Sequence, residues 1–416
     1  MARFAEDPFP CAWLVRSSYA IQRTGCNVYS IQGLVRATSK GWWSVQKNLE
    51  VAIAAGGTAG HINPALALAE ELTHRGHHVT FFGQPNRLES TLVPEAGYDF
   101  ECIRVSGFDR SRPWTLVSAL LRMRKAEKQL AHLFDERTAP DVAVGFGAYV
   151  EMPLLQLCKK RGIPYVIHEQ NSVAGLANKT CAKSASSVCL SLPEARAAFE
   201  GQVADESRIV VTGNPVRRSV VQASREEGRA AFGIRDDETM LLVFGGSLGA
   251  RHLNEAVTAL KEELLSRPKL RIVHSTGKEL HEEVVAGLGL TEEQAKRWDV
   301  RPYISNMGEA LAASDLVLSR AGASSIAEIA ALAVPAVLVP YPLATGDHQT
   351  TNAKFLVGAK AAELVPDDEL DTSRFKELLL GLVDDDERRD AMREASKELA
   401  QDRAASNLAD QVEAVC

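Results

Sequence analysis

Two short apolar segments of this chain each end in a glycine-rich turn that leads into a helical pattern. Residues 56–60 read GGTAG after the apolar run 51–55, and residues 245–249 read GGSLG after the run 240–244. A strand, a tight glycine turn and a helix form the first unit of a Rossmann-like domain, in which ligands bind outside the carboxyl ends of the strands. Because the unit occurs twice, we predict two Rossmann-like domains whose glycine turns face a common cleft.

The rest of the chain alternates between strand and helix patterns. Apolar runs that alternate with amphipathic helices are typical of α/β folds with parallel sheets covered on both faces. We predict strands at 51–55, 78–82, 142–144, 165–167, 240–244, 270–275, 316–318 and 336–339, and helices at 64–75 and 250–265.

The length of the chain also favours two domains, because 416 residues exceed one ordinary hydrophobic core. We predict an N-terminal domain over 49–213, a C-terminal domain over 214–385, and a last helix over 386–416 that packs back toward the domain junction. Residues 1–48 show neither helical nor strand periodicity. Two interpretations of them stay open: a disordered tail, or a segment upstream of a natural start near Val45.

Composition and charge exclude several classes of protein. A formal net charge of −7 lacks the basic excess of a typical nucleic-acid binder. The seven cysteines include no CxxC pair, which argues against a zinc ribbon and a disulfide framework and favours a reducing cytoplasm. No apolar run approaches the roughly 18 to 20 residues that a membrane-spanning helix needs. We therefore expect no integral membrane segment.

The stretch from 319 to 352 has the pattern of a nucleoside-diphosphate site. Its turn, AGASS at 321–325, follows a strand and opens a helix. The free N–H groups and the positive dipole end of a helix N terminus suit an anion. Glu328 lies one turn into this helix, where a carboxylate can accept hydrogen bonds from sugar hydroxyls.

The first glycine turn leads into His61. A histidine beside a cleft is a candidate general base because its pKa lies near neutrality, and a structural or capping role is the alternative. The turn matches neither a Walker loop nor a GxGxxG fingerprint, which argues against a nicotinamide cofactor. The segments GFGAYV at 145–150 and HEQN at 168–171 follow two further strands; they either bind a sugar or are ordinary polar turns.

We predict no required metal and no other cofactor. HEQN lacks the HExxH spacing that places two histidines on one helix face, and the aspartates at 384–386 lie in a charged run typical of a solvated helix boundary. The pyrophosphate would instead be stabilised by the helix N terminus at 323–325 and the turn at 245–247, with Arg217 as an additional charge.

The segment 105–129 interleaves cations with apolar residues. Such a segment can dock on an anionic membrane, where each basic residue near the surface contributes ~1 kcal/mol. An ordinary amphipathic helix that covers the core has the same pattern, and the sequence alone leaves both interpretations open. The candidate docking residues are Arg110, Arg112, Trp114, Leu120, Leu121, Arg122, Arg124 and Lys125.

Six ordered motifs resemble the MurG family, which is part of glycosyltransferase family 28. They read GGTAGHINPALALAEEL, GFGAYV, GIPYVIHEQNSVAGLANK, GNPVR, GGSLGARHLNE and SRAGASSIAEIAALAVPAVLVPYPLATGDHQTTNA. The resemblance extends from about residue 49 to the C terminus, and residues 1–48 have no counterpart in the family pattern.

The resemblance implies a GT-B fold, in which two Rossmann-like domains face a central cleft. It also implies an inverting, metal-independent transfer of GlcNAc from UDP-GlcNAc to the C4 hydroxyl of MurNAc in lipid I, which forms lipid II for peptidoglycan synthesis. The implied location is the cytoplasmic face of the cell membrane, as a peripheral protein. The implied partners are UDP-GlcNAc, lipid I, anionic lipid and other cell-wall synthesis and division proteins.

The resemblance assigns roles to single residues. His61 would be the base, with Tyr149 and Asn171 near the acceptor. Glu328 would hold the ribose hydroxyls, and the backbone of Ile304 would pair with uracil.

Gln349 and Asn352 would contact the GlcNAc hydroxyls. The expected donor contacts are Thr58, Ala59, Gly60, Asn171, Arg217, Ser247, Ile304, Ala323, Ser324, Ser325, Ile326, Ala327, Glu328, Gln349 and Asn352. The chain departs from the family pattern at Ala59 and Ala148, where glycine is common, and at Leu248, where glutamine is common. We leave Leu248 out of the site because it has no side-chain amide.

Two other functions remain as alternatives. A non-hydrolysing UDP-GlcNAc 2-epimerase would share the fold and the donor, and it would convert UDP-GlcNAc alone without a lipid-docking segment. A non-catalytic scaffold of a cell-wall complex would not need His61, Glu328 and Gln349 intact.

Overall fold

The structure is a computed structural model, and it describes residues 35–37, 43–45, 47–105, 115–246, 248–401 and 403–416. The chain divides into two units, 1–47 and 48–416. In the first unit, β1 (Val35–Ala37) pairs antiparallel with β2 (Trp43–Val45). The predictions for residues 1–48 otherwise fall outside the described residues.

The N-terminal domain of the second unit is built on a parallel sheet. Its strands are β3 (Glu50–Ala54), β4 (His78–Gly83), β5 (Asp99–Cys102), β6 (Val142–Gly145), β7 (Tyr165–Glu169), β8 (Ser187–Leu190) and β9 (Ile209–Val211). Its helices are α1 (Ala59–His74), α2 (Glu89–Glu95), α3 (Thr115–Glu136), α4 (Glu151–Arg161) and α5 (Leu176–Ala182).

The C-terminal domain repeats this plan on a second parallel sheet. Its strands are β10 (Thr239–Phe244), β11 (Leu270–Ser275), β12 (Trp298–Arg301), β13 (Leu316–Ser319), β14 (Ala336–Leu338) and β15 (Ala362–Leu364). The helices that accompany it are α6 (Arg218–Val221), α7 (Arg225–Ala231), α8 (Arg251–Ala259), α9 (Lys261–Leu265), α10 (His281–Leu288), α11 (Glu292–Ala295), α12 (Met307–Ala313), α13 (Ala323–Ala331), α14 (His348–Gly358), α15 (Ser373–Asp384) and α16 (Asp386–Lys397), and the chain ends with α17 (Ala404–Ala414).

The strand order places the ends of particular strands at the cleft. The sheets run β5-β4-β3-β6-β7-β8-β9 and β12-β11-β10-β13-β14-β15, with parallel pairing throughout. The direction of winding reverses between β3 and β6 and between β10 and β13, which are the switch points where open α/β sheets bind ligands. The prediction of two Rossmann-like α/β domains with parallel sheets is therefore confirmed.

The burial of both sheets follows from their apolar strands. The residues of β6, β7 and β8 are all buried, as expected for parallel strands covered by helices on both faces. One face of the N-terminal sheet packs on α1, and the other face packs on α3 and α4. Packing on both faces holds the carboxyl ends of these strands rigidly, and the cleft loops start there.

The first helix begins earlier than predicted. It starts at Ala59 rather than at Pro64, with Thr58 as an extended N-cap residue. Proline is favoured in the first turn of a helix, but here it lies inside α1. Because Pro64 has no N–H, it cannot donate to the carbonyl of Gly60 four residues earlier. That carbonyl lies at the cleft end of the helix.

The other departures concern helices that are interrupted. The predicted helix 250–265 consists of α8 and α9, which meet at Leu260. The predicted final helix 386–416 also consists of two helices. In α16 the side chain of Met392 belongs to the core of the C-terminal domain, whereas Leu408 of α17 belongs to the core of the N-terminal domain. The domain bounds themselves stay a prediction.

The chain passes between the two domains near residue 213 and again near residue 401, and these two segments are hydrogen-bonded to each other. The side-chain oxygen Oε1 of Gln401 accepts a hydrogen bond from the backbone N–H of Asn214 at 3.2 Å, and Asn407 Nδ2 donates to the backbone carbonyl of Thr212 at 3.3 Å. Gly213 has a φ of 84°, and a Cβ there would lie 2.5 Å from Gln401 Oε1. Position 213 therefore favours glycine for two reasons: the positive φ and the lack of space for a Cβ.

Candidate active site

The two glycine turns share one backbone geometry. The second glycine of each turn has a positive φ, 86° at Gly57 and 88° at Gly246, and a Cβ added at either would meet no described atom within 4 Å. A left-handed conformation costs other residues roughly 1–2 kcal/mol, so backbone geometry rather than crowding favours glycine at both positions. The similarity of the two sequence segments thus corresponds to a similarity in structure at both switch points.

The N termini of α1 and α13 meet at the cleft. Within the described chain neither N-cap residue, Thr58 or Gly322, makes a side-chain capping hydrogen bond. The hydroxyl of Ser324 donates across the cleft to the carbonyl of Gly60 at 3.5 Å, and Pro64 leaves that carbonyl without its helical donor. Two helix N termini therefore present backbone N–H groups near the same point, an arrangement that suits an anionic group.

His61 lies in the first turn of α1. Its Nδ1 is 3.1 Å from Thr58 Oγ1, and the carbonyl of Gly56 accepts a hydrogen bond from the ring. Burial lowers the pKa of His61 below its ordinary value; the carboxylate of Glu169 opposes this shift, and His348 adds to it. The ring is therefore neutral at pH 7 and can accept a proton, as a general base must.

Three buried glutamates lie behind the cleft loops of the N-terminal domain. Glu89 is 1% exposed, and its two carboxylate oxygens accept hydrogen bonds from the N–H groups of Gly57 and Gln84, both at 3.1 Å. A Cβ on Gly56 would lie 2.4 Å from Glu89 Oε1. Glu89 therefore fixes the first glycine turn, which carries Thr58 and leads to His61.

Glu169 and Glu151 hold the two neighbouring loops. Glu169 accepts hydrogen bonds from the N–H groups of Asn171 at 3.0 Å and Gly175 at 2.9 Å. Glu151 accepts one from the N–H of Gly147 at 2.5 Å, and burial raises the pKa of Glu151 to about 8. At pH 7 its carboxyl group is therefore mostly protonated.

Sequence reasoning missed these positioning carboxylates. Glu169 was noted only as part of HEQN, and neither Glu89 nor Glu151 was selected. Each of those two begins a helix that follows a loop, and an acid there has an ordinary explanation in the helix dipole. Only the fold shows that their side chains turn back onto glycine N–H groups.

The acceptor loop lies beside His61. A Cβ on Gly147 would be 3.8 Å from His61 Cδ2, so the loop after β6 reaches the proposed base. Tyr149, in the same loop, is 37% exposed. The structure thus brings His61 next to the loop that contains Tyr149, which lies more than 80 residues further along the chain.

On the donor side, Glu328 and Arg217 face each other. Glu328 is 8% exposed, and burial raises its pKa to about 7, whereas Arg217 acts to lower it. Arg217 Nε is buried and has no hydrogen-bond partner among the described residues. A buried carboxylate and a guanidinium with a free donor can bind hydroxyl and phosphate groups of one ligand.

The expected nucleoside contacts lie around the same helix. Ile304 is 3% exposed and belongs to the same apolar cluster as Ile326 of α13. The remaining α13 candidates, Ala323, Ser325 and Ala327, are half-buried. The proposed uracil contact and the proposed diphosphate helix therefore contribute to one apolar cluster of the C-terminal domain.

The two expected sugar contacts differ in the structure. Gln349 is half-buried, and its Oε1 accepts a hydrogen bond from the N–H of Tyr341 at 2.9 Å. Asn352 is fully buried; its Oδ1 accepts from the N–H of Ser172 at 3.0 Å and its Nδ2 donates to Asn171 Oδ1 at 3.3 Å. These bonds use one acceptor position and one N–H of the Asn352 amide, and the contact with a sugar hydroxyl stays a prediction.

The basic segment becomes helix α3 in its described part. Its inner face buries Ala119, Ala126 and Leu130, so it covers the core as an ordinary amphipathic helix does. Leu120 and Leu121 are nevertheless 50% and 60% exposed. The cations Arg122, Arg124 and Lys125 are exposed beside them. The interpretation as a core-covering helix fits the inner face of α3. The docking interpretation concerns the outer face and stays a prediction.

Several candidates cannot be placed. Ser247 and the docking candidates Arg110, Arg112 and Trp114 lie outside the described residues. Across the part of the chain that is described, no group of three or more His, Cys, Asp or Glu side chains is arranged to hold a metal ion. The helices of that same part include none that is long and apolar enough to cross a membrane.

Comparison with known proteins identifies relatives over most of the chain. The profile of the glycosyltransferase family 28 N-terminal domain matches residues 51–190, and that of the family 28 C-terminal domain matches residues 240–411. The UDP-N-acetylglucosamine--N-acetylmuramyl-(pentapeptide) pyrophosphoryl-undecaprenol N-acetylglucosamine transferase of Halothermothrix orenii is 38% identical over 368 residues, which cover 88% of this chain and 98% of that protein. The enzyme of the same name from Bacteroides thetaiotaomicron is 35% identical over 372 residues, with coverage of 88% and 98%.

Solved structures agree with this assignment. The crystal structure of MurG from Acinetobacter baumannii superimposes with a TM-score of 0.65 at 28% identity and covers 88% of this chain and 100% of that one. A Listeria monocytogenes protein described as a UDP-N-acetylglucosamine 2-epimerase gives a TM-score of 0.63 at 15% identity, with coverage of 86% and 94%; at that identity the likeness shows the fold alone. The predicted GT-B fold with two Rossmann-like domains is confirmed. The chain belongs to the MurG family within glycosyltransferase family 28.

Proposed function

We propose that this chain transfers GlcNAc from UDP-GlcNAc to the C4 hydroxyl of MurNAc in lipid I, with inversion, and so forms lipid II. The observation that carries this proposal is the neutral His61 at the start of α1, opposite the uncapped N terminus of α13. The relatives that are 35–38% identical over 88% of the chain are named for this reaction.

The chemistry divides between the two domains. His61 accepts the proton of the C4 hydroxyl as its oxygen forms a bond to the anomeric carbon of GlcNAc. The bond from that carbon to the β-phosphate oxygen breaks, and UDP leaves with the bonding electrons. The helix N terminus at Ala323–Ala331 and the guanidinium of Arg217 stabilise the charge that develops on the leaving group.

The donor is held by the remaining groups of the C-terminal domain. We propose that the ionised Glu328 accepts hydrogen bonds from the ribose hydroxyls, that the backbone of Ile304 pairs with uracil, and that Gln349 contacts the sugar. Thr58, Ala59 and Gly60 line the opposite side of the diphosphate. Tyr149 and Asn171 lie on the acceptor side.

We propose that no metal takes part in the chemical step, because helix dipoles and Arg217 can neutralise the leaving group. The test is the rate of transfer in excess EDTA. The proposal predicts an unchanged kcat, and a loss restored by Mg²⁺ or Mn²⁺ would contradict it.

We further propose that α3 docks the enzyme on the cytoplasmic face of the membrane, where lipid I would be reached. Its outer face exposes Leu120 and Leu121 beside cations. Changing both leucines to serine should reduce co-sedimentation with vesicles that contain anionic lipid, and added salt should weaken the binding of the wild type. Val285→Ser, which alters an exposed apolar residue of α10, is the matched control. Equal binding by all three proteins would contradict the docking proposal.

The central experiment incubates the wild type with labelled UDP-GlcNAc and a lipid I analogue. Formation of a lipid-linked product with a β-1,4 bond supports the proposal. The same enzyme with UDP-GlcNAc alone should leave the donor unchanged. Formation of UDP-ManNAc without an acceptor would indicate an epimerase, and absence of lipid-linked product from folded protein would contradict the transfer.

A further inference from the structure

We propose that Asn352 and Asn171 form a clasp that sets the closed position of the two domains for transfer. The clasp consists of these two side chains and the backbone N–H of Ser172. The inference rests on the proposed function, since it gives these residues a part in the transfer. It makes Asn352 a positioning residue and not a contact of the donor sugar.

The clasp joins one loop of each domain. Asn171 and Ser172 directly follow β7 in the N-terminal domain, and Asn352 lies in the first turns of α14 in the C-terminal domain. Asn352 bonds to both of them, at 3.0 Å to Ser172 N and at 3.3 Å to Asn171 Oδ1. The hydroxyl of Ser172 also donates to the carbonyl of His348 at 3.3 Å. Three hydrogen bonds therefore cross the cleft within one small region.

Burial restricts which side chains can form the clasp. Asn352 is 0% exposed and Ser172 is 6% exposed. A buried polar group that loses its partner destabilises the state that buries it. At position 352 the side chain accepts one hydrogen bond and donates another, which neither an apolar side chain nor a carboxylate can do. The clasp therefore fixes the orientation of α14 against the loop after β7.

This orientation matters because the clasp connects a loop held by Glu169 with the helix that carries Gln349. Glu169 Oε1 accepts hydrogen bonds from Asn171 N at 3.0 Å and from Asn171 Nδ2 at 3.4 Å. The carboxylate of Glu169 acts electrostatically on His61. Gln349, the proposed sugar contact, lies three residues before Asn352 on the same helix. A shift of α14 relative to Asn171 would thus change the distance from the base to the anomeric carbon.

The geometry of the cleft supports a closed state in other places as well. Arg218, next to the junction, donates its backbone N–H to Glu70 of α1 at 2.9 Å, and Ser324 bonds to the carbonyl of Gly60. These contacts lie near the N-terminal ends of helices, whereas the clasp lies beside the sugar loop. The clasp is thus the contact that is placed to align the reacting groups.

The test is a double-mutant cycle of Asn171→Ala and Asn352→Ala with the transfer assay. Each single variant should lower kcat about tenfold, and the double variant should be no slower than the slower single variant, because both remove the same contact. In Asn352→Ala the dissociation constant of UDP and the preference for UDP-GlcNAc over UDP-GalNAc should change by less than about twofold. A residue that contacts the sugar would alter that preference, so this readout separates the two roles.

Thr350→Ala is the matched control, because its hydroxyl bonds to Asp347 Oδ1 at 2.6 Å within the C-terminal domain. It should retain the wild-type kcat. If Asn352→Ala does not fold, Asn352→Asp replaces it, since a carboxylate keeps the acceptor for Ser172 N–H but cannot donate to Asn171.

The outcomes separate the two proposals. If the wild type is active but the losses of kcat in the two single variants multiply in the double variant, the clasp is overturned and the proposed function stands. A changed sugar preference with an unchanged kcat in Asn352→Ala would also overturn it. A wild type that forms no lipid-linked product would overturn the proposed function, and with it the part of the clasp in transfer.

Discussion

The two domains start from the same strand, glycine turn and helix, yet different groups support their cleft loops. In the N-terminal domain, buried carboxylates hold the loops after β3, β6 and β7 from behind. In the C-terminal domain, the corresponding surface offers the open N terminus of α13 and the guanidinium of Arg217. Under the proposed function one fold unit serves two tasks: the first domain would position a base, and the second would receive an anion.

The two domains differ in the side chain that packs against each glycine turn. Glu89 fills the space beside Gly56 and binds the N–H of Gly57. In the second domain, Gly245 lies instead against Ala250, whose Cβ would be 2.4 Å from a Cβ on the glycine. A carboxylate behind a turn accepts hydrogen bonds from the N–H groups of that turn and adds negative charge near a histidine. An apolar contact leaves the N–H groups of the turn available for a ligand.

The largest effect is expected from removing the base. His61→Ala should lower kcat by about 10²- to 10⁴-fold, the usual contribution of a general base. In the wild type, kcat at saturating donor should fall only when the pH drops below the ordinary histidine value of 6.5, because burial lowers the pKa of His61. The measurement is a pH profile of kcat for both proteins. If the fall in kcat at low pH persists unchanged in His61→Ala, another group causes that fall.

A smaller loss is expected from the carboxylate behind the first turn. Glu89→Ala should lower kcat about tenfold or more, because the N–H groups of Gly57 and Gln84 lose their acceptor and the turn that leads to His61 loosens. The loss of these hydrogen bonds should also cost about 1 kcal/mol of stability or more. Glu89→Gln keeps one acceptor and should recover part of the rate. Steady-state kinetics and urea unfolding measure the two effects. Equal rates in all three proteins would show that the turn needs no carboxylate behind it.

The donor side should respond in affinity rather than rate. The pKa of Glu328 is about 7, so only about a tenth of it is ionised at pH 6. Because the ribose hydroxyls bind the ionised form best, UDP-GlcNAc should bind roughly tenfold more weakly at pH 6 than at pH 8. Calorimetric titration of the wild type and Glu328→Gln checks this. The variant should bind weakly at both pH values; a wild type without pH dependence would contradict the role of Glu328.

The smallest effect on activity is expected at Glu151, where the prediction concerns stability. Burial raises the pKa of Glu151 to about 8, so the folded state retains a proton that an unfolded chain loses near pH 4.5. The free energy of unfolding of the wild type should therefore decline relative to that of Glu151→Gln between about pH 4.5 and pH 8 and then level off. Urea unfolding at several pH values measures it. A difference that stays constant over this range would mean that Glu151 is ionised in the folded protein.

Much of this architecture could be predicted from the sequence. The two glycine turns lie at the switch points because apolar strands and turn glycines encode both locally. The start of α1 was misplaced because Pro64 suggested a helix beginning, although the chain had already turned at Thr58. The predicted base and donor groups follow the family motifs, and their roles stay proposals.

The supporting contacts could not be predicted in the same way. Glu89 reaches Gly57 across 32 residues, and Asn352 reaches Asn171 across 181 residues. Such contacts depend on how strands and domains are arranged, and no local pattern records them. For the same reason the sequence pattern does not indicate that Asn352 lies under a loop of the other domain.

The division of labour between the domains is tested most directly by measuring kcat and the dissociation constant of UDP-GlcNAc side by side for His61→Ala and Glu328→Gln. The account predicts a crossed result: His61→Ala loses at least about 100-fold in kcat with an unchanged dissociation constant, and Glu328→Gln binds the donor about tenfold more weakly at pH 8 while its kcat at saturation changes little. If both variants lose affinity alike, or if His61→Ala retains the wild-type kcat, the two domains do not divide the reaction in this way.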